Sequence, residues 1–492
     1  MFVVAALLSA VCIHAHAMWF DELQAWNIAR ASHSLGDLFS HLRYEGHPPL
    51  WYLPLYAITR FTGDPRAMQV LAWLLVVVVD ALVLFRSPFP VPARIALVAS
   101  YFFAFEYSVM ARSYGLGVLL LVAALVALGR VRPRWTAATI ALALLAWTSL
   151  AGAVLAASLA LVLAGRWWRA RSDGTATRGG ITCALVTAGS AIFAALMCIP
   201  PSDFHSFSIG IPNSTSAYVA PTRLAAALGG TWRGLVPIPV GVGRWNTNIV
   251  DQLGGVWLQA VISLAVFVVV ARVLRPYATA FGLWIVGTVA YVVFSVVVVL
   301  PDRAHYAGEF FLLFVACAWL AYAPPGDGLD GARPAVPSNW RTGLPAVLTV
   351  VLAAQIVATL AILPDATARP FAPDRTLAEA AADAGLAHDI VSGQDFDGAT
   401  MSGYLDTPVF SIARHAPMRF FVNDEREAVG NADLTPKRLV CTAAGLARRR
   451  EQPVALVVDK PVPTSAGVAL LVAAQGVRLY RVEPDASTRA GC

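Results

Sequence analysis

Two adjacent carboxylates, Asp21 and Glu22, follow the first apolar segment of the chain. Nearly all of the sequence after them, up to about residue 364, is apolar enough to suit a membrane. An ionised side chain close to hydrocarbon is energetically costly, so acidic residues beside membrane segments commonly have a function. A carboxylate in that position can accept the proton of an attacking hydroxyl group. The pair is therefore the leading candidate for catalysis.

Two later polar segments carry residues that suit the recognition of a phosphate. Arginine, histidine and tyrosine side chains can neutralise and hydrogen-bond a departing phosphate group. An enzyme that moves a group from a lipid phosphate to a hydroxyl at a membrane surface needs such cations as well as a base. We expect these segments and the acidic pair to converge on one leaflet. The two segments contain Glu106, Tyr107, Arg112 and Tyr114, and Asp302, Arg303, His305 and Tyr306.

The composition is that of an integral membrane protein. Of the 492 residues, 58% are hydrophobic and only 13% are charged, whereas soluble domains carry about 25% charged residues. The net charge of +6 and the isoelectric point near 9.1 raise the question of nucleic-acid binding, but the arginines are scattered between apolar segments. Membrane topology explains that distribution, so we expect no nucleic-acid partner.

Eleven apolar runs predict membrane-spanning helices. A helix needs about 20 residues to cross the hydrocarbon core, and four of the runs are 18 to 23 residues long. Several are shorter, and two adjacent runs could be divided differently, so the number is open by one or two. The runs are 2–12, 68–85, 95–105, 114–128, 137–147, 151–163, 181–199, 256–270, 278–300, 310–322 and 344–363.

The arginines indicate how the spans are oriented. If the N-terminus is cytoplasmic, thirteen arginines between residues 86 and 341 fall in inner loops, and the short outer loops hold only Arg112 and Arg303. The two longer outer loops contain further arginines, but long loops count for less. This asymmetry follows the positive-inside rule. Asp21 then faces away from the cytoplasm. We expect a multi-pass protein of a bacterial-type inner membrane, with its active site on the extracytoplasmic side.

The first apolar run has a second interpretation. Ala15, His16 and Ala17 resemble the small-residue cleavage site of a signal peptide, and the run before them is short. A basic segment at the start is missing, which favours a retained helix. A start that truncates this helix also stays open. Cleavage would leave the orientation of every later span unchanged.

Three polar intervals interrupt the apolar pattern, and each should lie outside. The first outer loop, residues 18–66, mixes aromatic, aliphatic and charged residues at roughly helical spacing, which predicts short interfacial helices. The second, residues 200–254, suits either a flap over a site or a connector. After a transmembrane module of residues 1–364, shorter apolar runs predict a soluble α/β domain over 365–492. Its predicted elements are helices 376–384 and 436–449 and strands 388–391 and 454–458.

Several motifs together resemble a known family of membrane enzymes. They are WFDE at 19–22, GHPPLWY at 46–52, Tyr107, and ARSYGL at 111–116. This set resembles GT-C glycosyltransferases of the protein-mannosyltransferase and aminoarabinose-transferase type, the family-39-like superfamily. The likeness covers the N-terminal third, and the hydropathy pattern agrees as far as residue 364. The family's commoner Arg-Pro-Tyr appears here as Arg-Ser-Tyr at 112–114.

The resemblance implies an activity and roles for individual residues. Family members use polyprenyl-phosphate sugars as donors, so it implies transfer of a hexosyl or pentosyl group to a glycan, lipid or protein acceptor outside the cell, as in cell-envelope modification. A single displacement by one base implies inversion. Asp21 would be the base, with Glu22 assisting placement of the acceptor or a metal. We expect no obligatory metal or cofactor, although a divalent metal stays possible. Substrate-binding residues would be His47, Tyr107, Arg112, Tyr114, Arg303 and His305.

Each of these residues also has a purely structural interpretation. An acidic pair in the first turn of a helix can simply cap it. The His47-Pro48-Pro49 segment can form a rigid turn before a span. Arg112 can extend to lipid headgroups, and Tyr114 can belong to an aromatic belt at the interface.

Two rival functions belong to other classes. A transporter or flippase of a lipid-linked or small polar substrate would place polar groups near the midplane and often shows internal repeats. We find no clear repeat, and the polar groups gather at one face. A membrane scaffold whose C-terminal domain binds a partner is the third hypothesis. Deletion of residues 365–492 would abolish its function, whereas Asp21→Asn would not.

The remaining reactive residues suit structural roles. Asp80 lies inside an apolar run and should face a neighbouring helix or a water-filled cavity. Of the six cysteines, four lie in or beside apolar runs and lack metal-ligand spacing. Cys441 and Cys492 lie in the C-terminal domain, where an oxidising compartment permits a disulfide, but the sequence alone does not pair them.

Overall fold

The fold follows from long apolar segments that must satisfy their backbone hydrogen bonds internally, which α-helices do. The structure, a computed structural model, describes residues 1–172, 174–205, 219–240, 245–299, 303–324, 343–432, 434–486 and 492. The chain divides into two units. We name Met1–His14, Leu71–Cys198 and Phe207–Ala368 the helical unit, and Ala15–Val70, Ile199–Ser206 and Arg369–Cys492 the α/β unit.

Helices account for most of the described chain. A 3-10 turn covers Leu42–Tyr44, and a π-helical turn covers Phe102–Glu106. The α-helices up to the last long apolar one are α1 (Phe2–Ala15), α2 (Phe20–Ala31), α3 (Leu35–His41), α4 (Tyr52–Ile58), α5 (Arg66–Arg86), α6 (Val91–Val98), α7 (Ser113–Leu128), α8 (Trp135–Leu145), α9 (Leu150–Ser172), α10 (Arg178–Met197), α11 (Val219–Leu235), α12 (Asp251–Leu274), α13 (Ala278–Val297), α14 (Ala304–Tyr322) and α15 (Gly343–Ala368). The last four are α16 (Asp374–Asp383), α17 (Asp395–Leu405), α18 (Glu425–Ala432) and α19 (Pro436–Arg450).

The protein is a multi-pass membrane protein. Among the described residues, seven helices are long and apolar enough to span a bilayer, or eight if the bent pair α1 and α2 forms one span. Two further apolar helices, α7 and α8, are shorter. All eleven predicted apolar runs overlap helices, so their helical nature is confirmed. The count of eleven spans is not confirmed, because several runs form helices too short to cross alone.

Helix α14 forms the centre of the helical unit. Its apolar segment is 89% buried, whereas that of α12 is only 17% buried. The glycines of α11 allow close packing on α14, since a Cβ at Gly230 would overlap the Phe310 ring and one at Gly234 would overlap the carbonyl oxygen of Ala307. The interval 200–254 therefore contains a packed helix in its described part, whereas its sequence suggested a flap or a connector.

The α/β unit is built on one mixed sheet. Its strands are β1 (Ile390–Ser392), β2 (Val409–Ser411), β3 (Ala416–Met418), β4 (Val454–Val458), β5 (Val468–Ala474) and β6 (Val477–Val482). The strand order is β3-β2-β1-β4-β6-β5, with β1 parallel to both β2 and β4. All five residues of β4 are buried, as expected for a continuous apolar run that is covered on both faces. Alternate residues of β4 belong to two different hydrophobic clusters, one with α19 and one with α16 and α17.

The small C-terminal α/β domain that the sequence predicted is present, with two additions. A disulfide joins Cys441 in α19 to Cys492. Residues 15–70, with helices α2, α3 and α4, belong to the same unit as the sheet, together with residues 199–206. The first outer loop forms short helices, as the sequence predicted, and belongs to the same unit as the C-terminal domain. The interfacial location of these helices stays a prediction.

Candidate functional site

The acidic pair lies in the first turn of helix α2, where carboxylates are favoured by the helix dipole. The two side chains differ in exposure. Glu22 is fully buried, and its Oε2 accepts a hydrogen bond from the backbone N–H of Trp19 at 3.1 Å. The same oxygen lies 2.8 Å from Nε2 of His16, which is also buried. Asp21 is only half-buried, so it is the member of the pair that keeps some surface exposed to solvent.

The segment before the acidic pair is fixed by side chains from distant parts of the sequence. The carbonyl oxygen of His16 accepts hydrogen bonds from Nε2 of Gln69 at 3.2 Å and from Nη2 of Arg375 at 2.6 Å. The His16 ring packs against Phe371, with 5.0 Å between the ring centroids. The hydroxyl group of Tyr404 donates to the carbonyl oxygen of Met18 at 2.8 Å. The start of α2 is therefore tied to the C-terminal domain.

The rest of α2 is held in the same way, by polar side chains on its buried face. The Gln24 amide nitrogen donates to Oε1 of Glu45 and to the carbonyl oxygen of Phe421, each at 2.7 Å, and its oxygen accepts from the Phe421 N–H at 2.9 Å. Nδ2 of Asn27 donates to the carbonyl oxygen of Ala399 at 2.6 Å. These bonds satisfy polar groups that would otherwise be buried unpaired, so they fix how α2 lies on the domain.

His47 occupies a turn, as one of the two hypotheses expected. Its Nδ1 donates to the carbonyl oxygen of Glu45 at 2.7 Å, which places the proton on Nδ1. Gly46 has φ of +64°, a conformation that glycine adopts without strain. Pro48 and Pro49 are buried, while His47 itself is half-buried. The turn therefore holds the imidazole in one orientation and one tautomer.

Four of the predicted phosphate-binding residues lie together in the helical unit. The Tyr107 hydroxyl group donates to the carbonyl oxygen of His305 at 2.6 Å. The His305 ring is stacked on Tyr114 at 5.6 Å and on Trp245 at 6.4 Å between ring centroids. The guanidinium carbon of Arg112 lies 5.4 Å from the centroid of the Tyr114 ring, a cation–π distance. We call these five residues the aromatic cluster.

The fifth predicted residue of this unit, Arg303, is exposed and is the N-terminal capping residue of α14. The first helical N–H, that of Ala304, donates to Oδ1 of Asn246 at 2.7 Å. Asp302, in the same polar segment, lies outside the described residues. Arg112 of the aromatic cluster and Arg303 at the start of α14 each supply a guanidinium group from a different loop. Two such groups suit the binding of an anion.

Glu106 is the residue of this region to which the sequence assigned no role of its own. It is fully buried, and its Oε2 accepts hydrogen bonds from the Tyr101 hydroxyl group at 3.1 Å and from Nε1 of Trp245 at 3.0 Å. Trp245 thus connects Glu106 to the ring of His305. The signal in the sequence is a carboxylate directly after an apolar run, but its tryptophan partner is 139 residues away.

No protein-family model and no curated protein matches the chain. Among solved structures, the chain is similar to the crystal structure of ArnT from Cupriavidus metallidurans bound to undecaprenyl phosphate. The similarity covers 98% of this chain and 97% of that chain, at 14% sequence identity and a TM-score of 0.48. At that score it assigns neither a family nor an activity to the chain.

The candidate residues thus fall into two groups. Asp21, Glu22 and His47 belong to the α/β unit, and the aromatic cluster and Arg303 belong to the helical unit. Within the described ranges, no three or more His, Cys, Asp or Glu side chains are grouped so that they could hold a metal ion. In chemical terms, the first group offers a rigidly mounted carboxylate, and the second offers cations, aromatic faces and a buried acid.

Proposed function

We propose that the protein is a membrane glycosyltransferase that moves a sugar from a polyprenyl-phosphate donor to an acceptor on the outer side of the membrane. The observation that carries the proposal is the mounting of Asp21. Asp21, a partly exposed residue, lies in the first turn of a helix whose start is fixed by the buried contact between Glu22 and His16. A fixed carboxylate that solvent reaches is what a general base for a hydroxyl acceptor requires.

The proposed reaction is a single displacement. The Asp21 carboxylate accepts the proton of the acceptor hydroxyl group while the acceptor oxygen bonds to the anomeric carbon of the sugar. The bond between that carbon and the phosphate oxygen breaks, and the polyprenyl phosphate leaves with the electron pair. Arg112, Arg303 and His305 stabilise the negative charge of the leaving phosphate. Attack from the side opposite to the leaving group inverts the anomeric centre.

The two acidic residues have separate roles in this proposal. Glu22 has no exposed surface, so in this conformation it does not reach an acceptor molecule. It serves instead to fix the first turn of α2, because its Oε2 bonds both to His16 and to the Trp19 backbone. This differs from the role in acceptor or metal placement that the family resemblance implied. His47, held by its bond to Glu45, contributes an imidazole to the wall of the acceptor site.

An outer location is supported by two independent observations. Apart from those in the two long outer loops, the arginines between spans are concentrated in the loops assigned to the cytoplasm, as the positive-inside rule expects. The α/β unit carries the disulfide between Cys441 and Cys492, and structural disulfides are typical of oxidising compartments outside the cytosol. Both support an extracytoplasmic location for Asp21, which belongs to the α/β unit.

The experiment uses purified full-length protein in nanodiscs with a panel of polyprenyl-phosphate sugars and crude envelope acceptors. Mass spectrometry follows the consumption of each donor and the mass gained by the acceptor. We expect one donor to be consumed, and Asp21→Asn to abolish this while the protein stays folded. Asp64→Asn is the matched control, because Asp64 is an exposed aspartate of the same loop. Full activity of Asp21→Asn would remove the base assignment.

The rival function, transport of a lipid-linked or small polar substrate, is favoured by one specific feature. Asp80 lines a cavity of about 270 Å³ in the helical unit whose other lining is mostly apolar, including Leu8, Val98 and Phe103. A carboxylate beside an apolar cavity suits a ligand with one polar group on a long apolar chain. Transport in place of transfer would be established if the donor crosses the membrane of sealed vesicles uncleaved and no longer crosses it with Asp80→Asn.

A further inference from the structure

The two carbonyl groups just before α2 receive hydrogen bonds from the C-terminal domain, residues 369–492. Arg375, in helix α16, donates to the carbonyl oxygen of His16, and Tyr404, in helix α17, donates to that of Met18. Met18 is 1% exposed, so water cannot readily replace the tyrosine hydroxyl group there. These bonds bracket the turn that leads into Asp21.

Further contacts show that α2 rests on this domain along its length. The Phe20 ring packs edge-on against Phe396 at 4.6 Å between ring centroids. At the other end of the helix, Arg30 forms an ion pair with Asp406 at 2.9 Å, and Asp406 is also paired with Arg419. The helix that carries Asp21 is therefore seated on a rigid α/β scaffold, and the two backbone contacts lie at the end nearest the carboxylate.

We propose that Arg375 and Tyr404 are positioning residues for Asp21, and that the C-terminal domain is a working part of the active site. The inference rests on the proposed function, because it assigns to these residues the placement of the proposed base. Neither side chain needs to contact the substrate. Each fixes one carbonyl group of the segment 16–18, and the pair together fixes the direction in which the first turn of α2 presents Asp21.

Loss of the hydrogen bonds from Arg375 and Tyr404 should lower the catalytic rate rather than weaken donor binding. Catalytic groups must be held close to a productive geometry, and a displacement of about 1 Å can cost on the order of 10²-fold in rate. We therefore expect Arg375→Ala to lower kcat on the order of 10²-fold. Loss of the single hydroxyl group in Tyr404→Phe should lower kcat about tenfold. The KM for the donor should change less than twofold, since neither residue is proposed to bind it.

The test compares full-length variants in nanodiscs. Arg375→Ala, Arg375→Lys and Tyr404→Phe are measured for kcat, KM and the pH dependence of kcat/KM. Tyr480→Phe is the matched control, because it also removes a buried tyrosine hydroxyl group of the domain, one whose described contact is a weak 3.4 Å bond from the Val462 N–H. Hydrogen exchange of peptides covering residues 16–31 is measured on every variant.

The proposal predicts a specific combination of kinetic and hydrogen-exchange results. The kcat falls with KM and the pH profile unchanged, Arg375→Lys recovers part of the loss, exchange rises in residues 16–31, and Tyr480→Phe behaves as wild type. Unchanged kcat in both Tyr404→Phe and Arg375→Ala overturns the proposal, and so does a loss confined to KM. If Arg375→Ala does not fold, Tyr404→Phe decides.

The failure of the proposed function gives a different result. In that case wild-type protein consumes no donor, and kinetic constants do not exist for any variant. The hydrogen-exchange measurement then tests, without any activity, whether Arg375 and Tyr404 hold residues 16–31 on the C-terminal domain. A rise confined to residues 16–31 supports the attachment of this segment to the domain, and its absence overturns it.

Discussion

At the scale of single residues, the surroundings of a carboxylate decide what it can do. Asp21 and Glu22 are neighbours with the same charge, yet only Asp21 reaches solvent. Glu22 is enclosed with His16 and the backbone of Trp19, and a buried acidic group of this kind is tolerated because it is hydrogen-bonded. A base must exchange protons with a substrate, whereas a buried paired acid holds structure. The chemical role therefore falls on Asp21 in our proposal.

Substitution of Glu22 separates these two roles. Glu22→Gln keeps the size of the side chain but replaces the carboxyl group that is hydrogen-bonded to His16 and to the Trp19 N–H. We expect the protein to lose about 1–3 kcal/mol of stability, because two buried donors lose part of their acceptor. Thermal unfolding in nanodiscs measures this loss. Transfer activity should decrease but persist, in contrast to Asp21→Asn, and full loss of activity in well-folded Glu22→Gln would assign Glu22 to the chemistry.

At the scale of elements, the packing of α11 on α14 makes a prediction about stability. Ala at position 234 would place its Cβ against the carbonyl oxygen of Ala307 and 3.1 Å from Cβ of Phe310, so the helices must separate. We expect Gly234→Ala to cost about 1–3 kcal/mol, measured by thermal unfolding in detergent. Gly189→Ala is the control, because nothing lies within 4 Å of its added Cβ. Equal stability of the two variants would contradict the close packing.

Two aspartates make the stability of the α/β unit depend on pH: Asp374 at the start of α16 and Asp397 in the first turn of α17. Burial, with the charge of Asp397, raises the pKa of Asp374 to about 7, and burial, with the charge of Asp459, raises the pKa of Asp397 to about 7. The folded state then binds more protons than the unfolded state between about pH 4 and pH 7. Stability contributed by the protonated acids is complete below pH 4 and is lost as the pH rises through 7.

The measurement is thermal unfolding of the full-length protein as a function of pH. Asp397→Asn should flatten the decline between pH 4 and pH 7 and raise the unfolding temperature at pH 7.5. Asp383→Asn provides the comparison, since Asp383 is exposed at the end of α16. An unchanged pH dependence in Asp397→Asn would show that this acid is ionised in the folded protein.

Helices and strands that are set by a local apolar pattern could be predicted from the sequence, whereas contacts between residues far apart in the sequence could not. Strand β4 was predicted with its observed limits, 454–458, and helix α19 was predicted to within one residue of its end. Both are set by local apolar periodicity. Helix α11 was missed because it lies in a polar interval and buries its glycines against helices distant in sequence, Gly229 against α12 and both Gly230 and Gly234 against α14. The bond between Gln24 and Phe421 joins residues 397 positions apart, so no local pattern indicates it.

The candidate site shows the same division. Residue types at the membrane edge indicated Tyr107, Arg112, Tyr114 and His305, and the structure places these four together. Their roles stay predictions. Asp21 and Glu22 differ in solvent exposure because His16 and the backbone of Trp19 enclose only Glu22. This difference is a property of the folded chain and is not visible in the sequence.

At the scale of the whole molecule, the disulfide and the arginine distribution predict the same sidedness for the α/β unit. This is testable with a membrane-impermeant maleimide on intact cells. Cys492→Ser frees the half-exposed Cys441, which should be labelled from outside, whereas wild-type protein should not be labelled there. Arg169→Cys, an exposed position near the end of α9 assigned to the cytoplasm, should react only after the cells are permeabilised.

The labelling pattern bears directly on the proposed chemistry. If Cys441 reacts from outside, Asp21 meets acceptors beyond the membrane, because residues 15–70 and the C-terminal domain form one unit. The donor lipid must then be presented in the outer leaflet, and a cytosolic sugar nucleotide is excluded as the direct substrate. If Cys441 reacts only after permeabilisation while Arg169→Cys reacts in intact cells, the orientation is reversed. The acceptor then has to be sought in the cytoplasm.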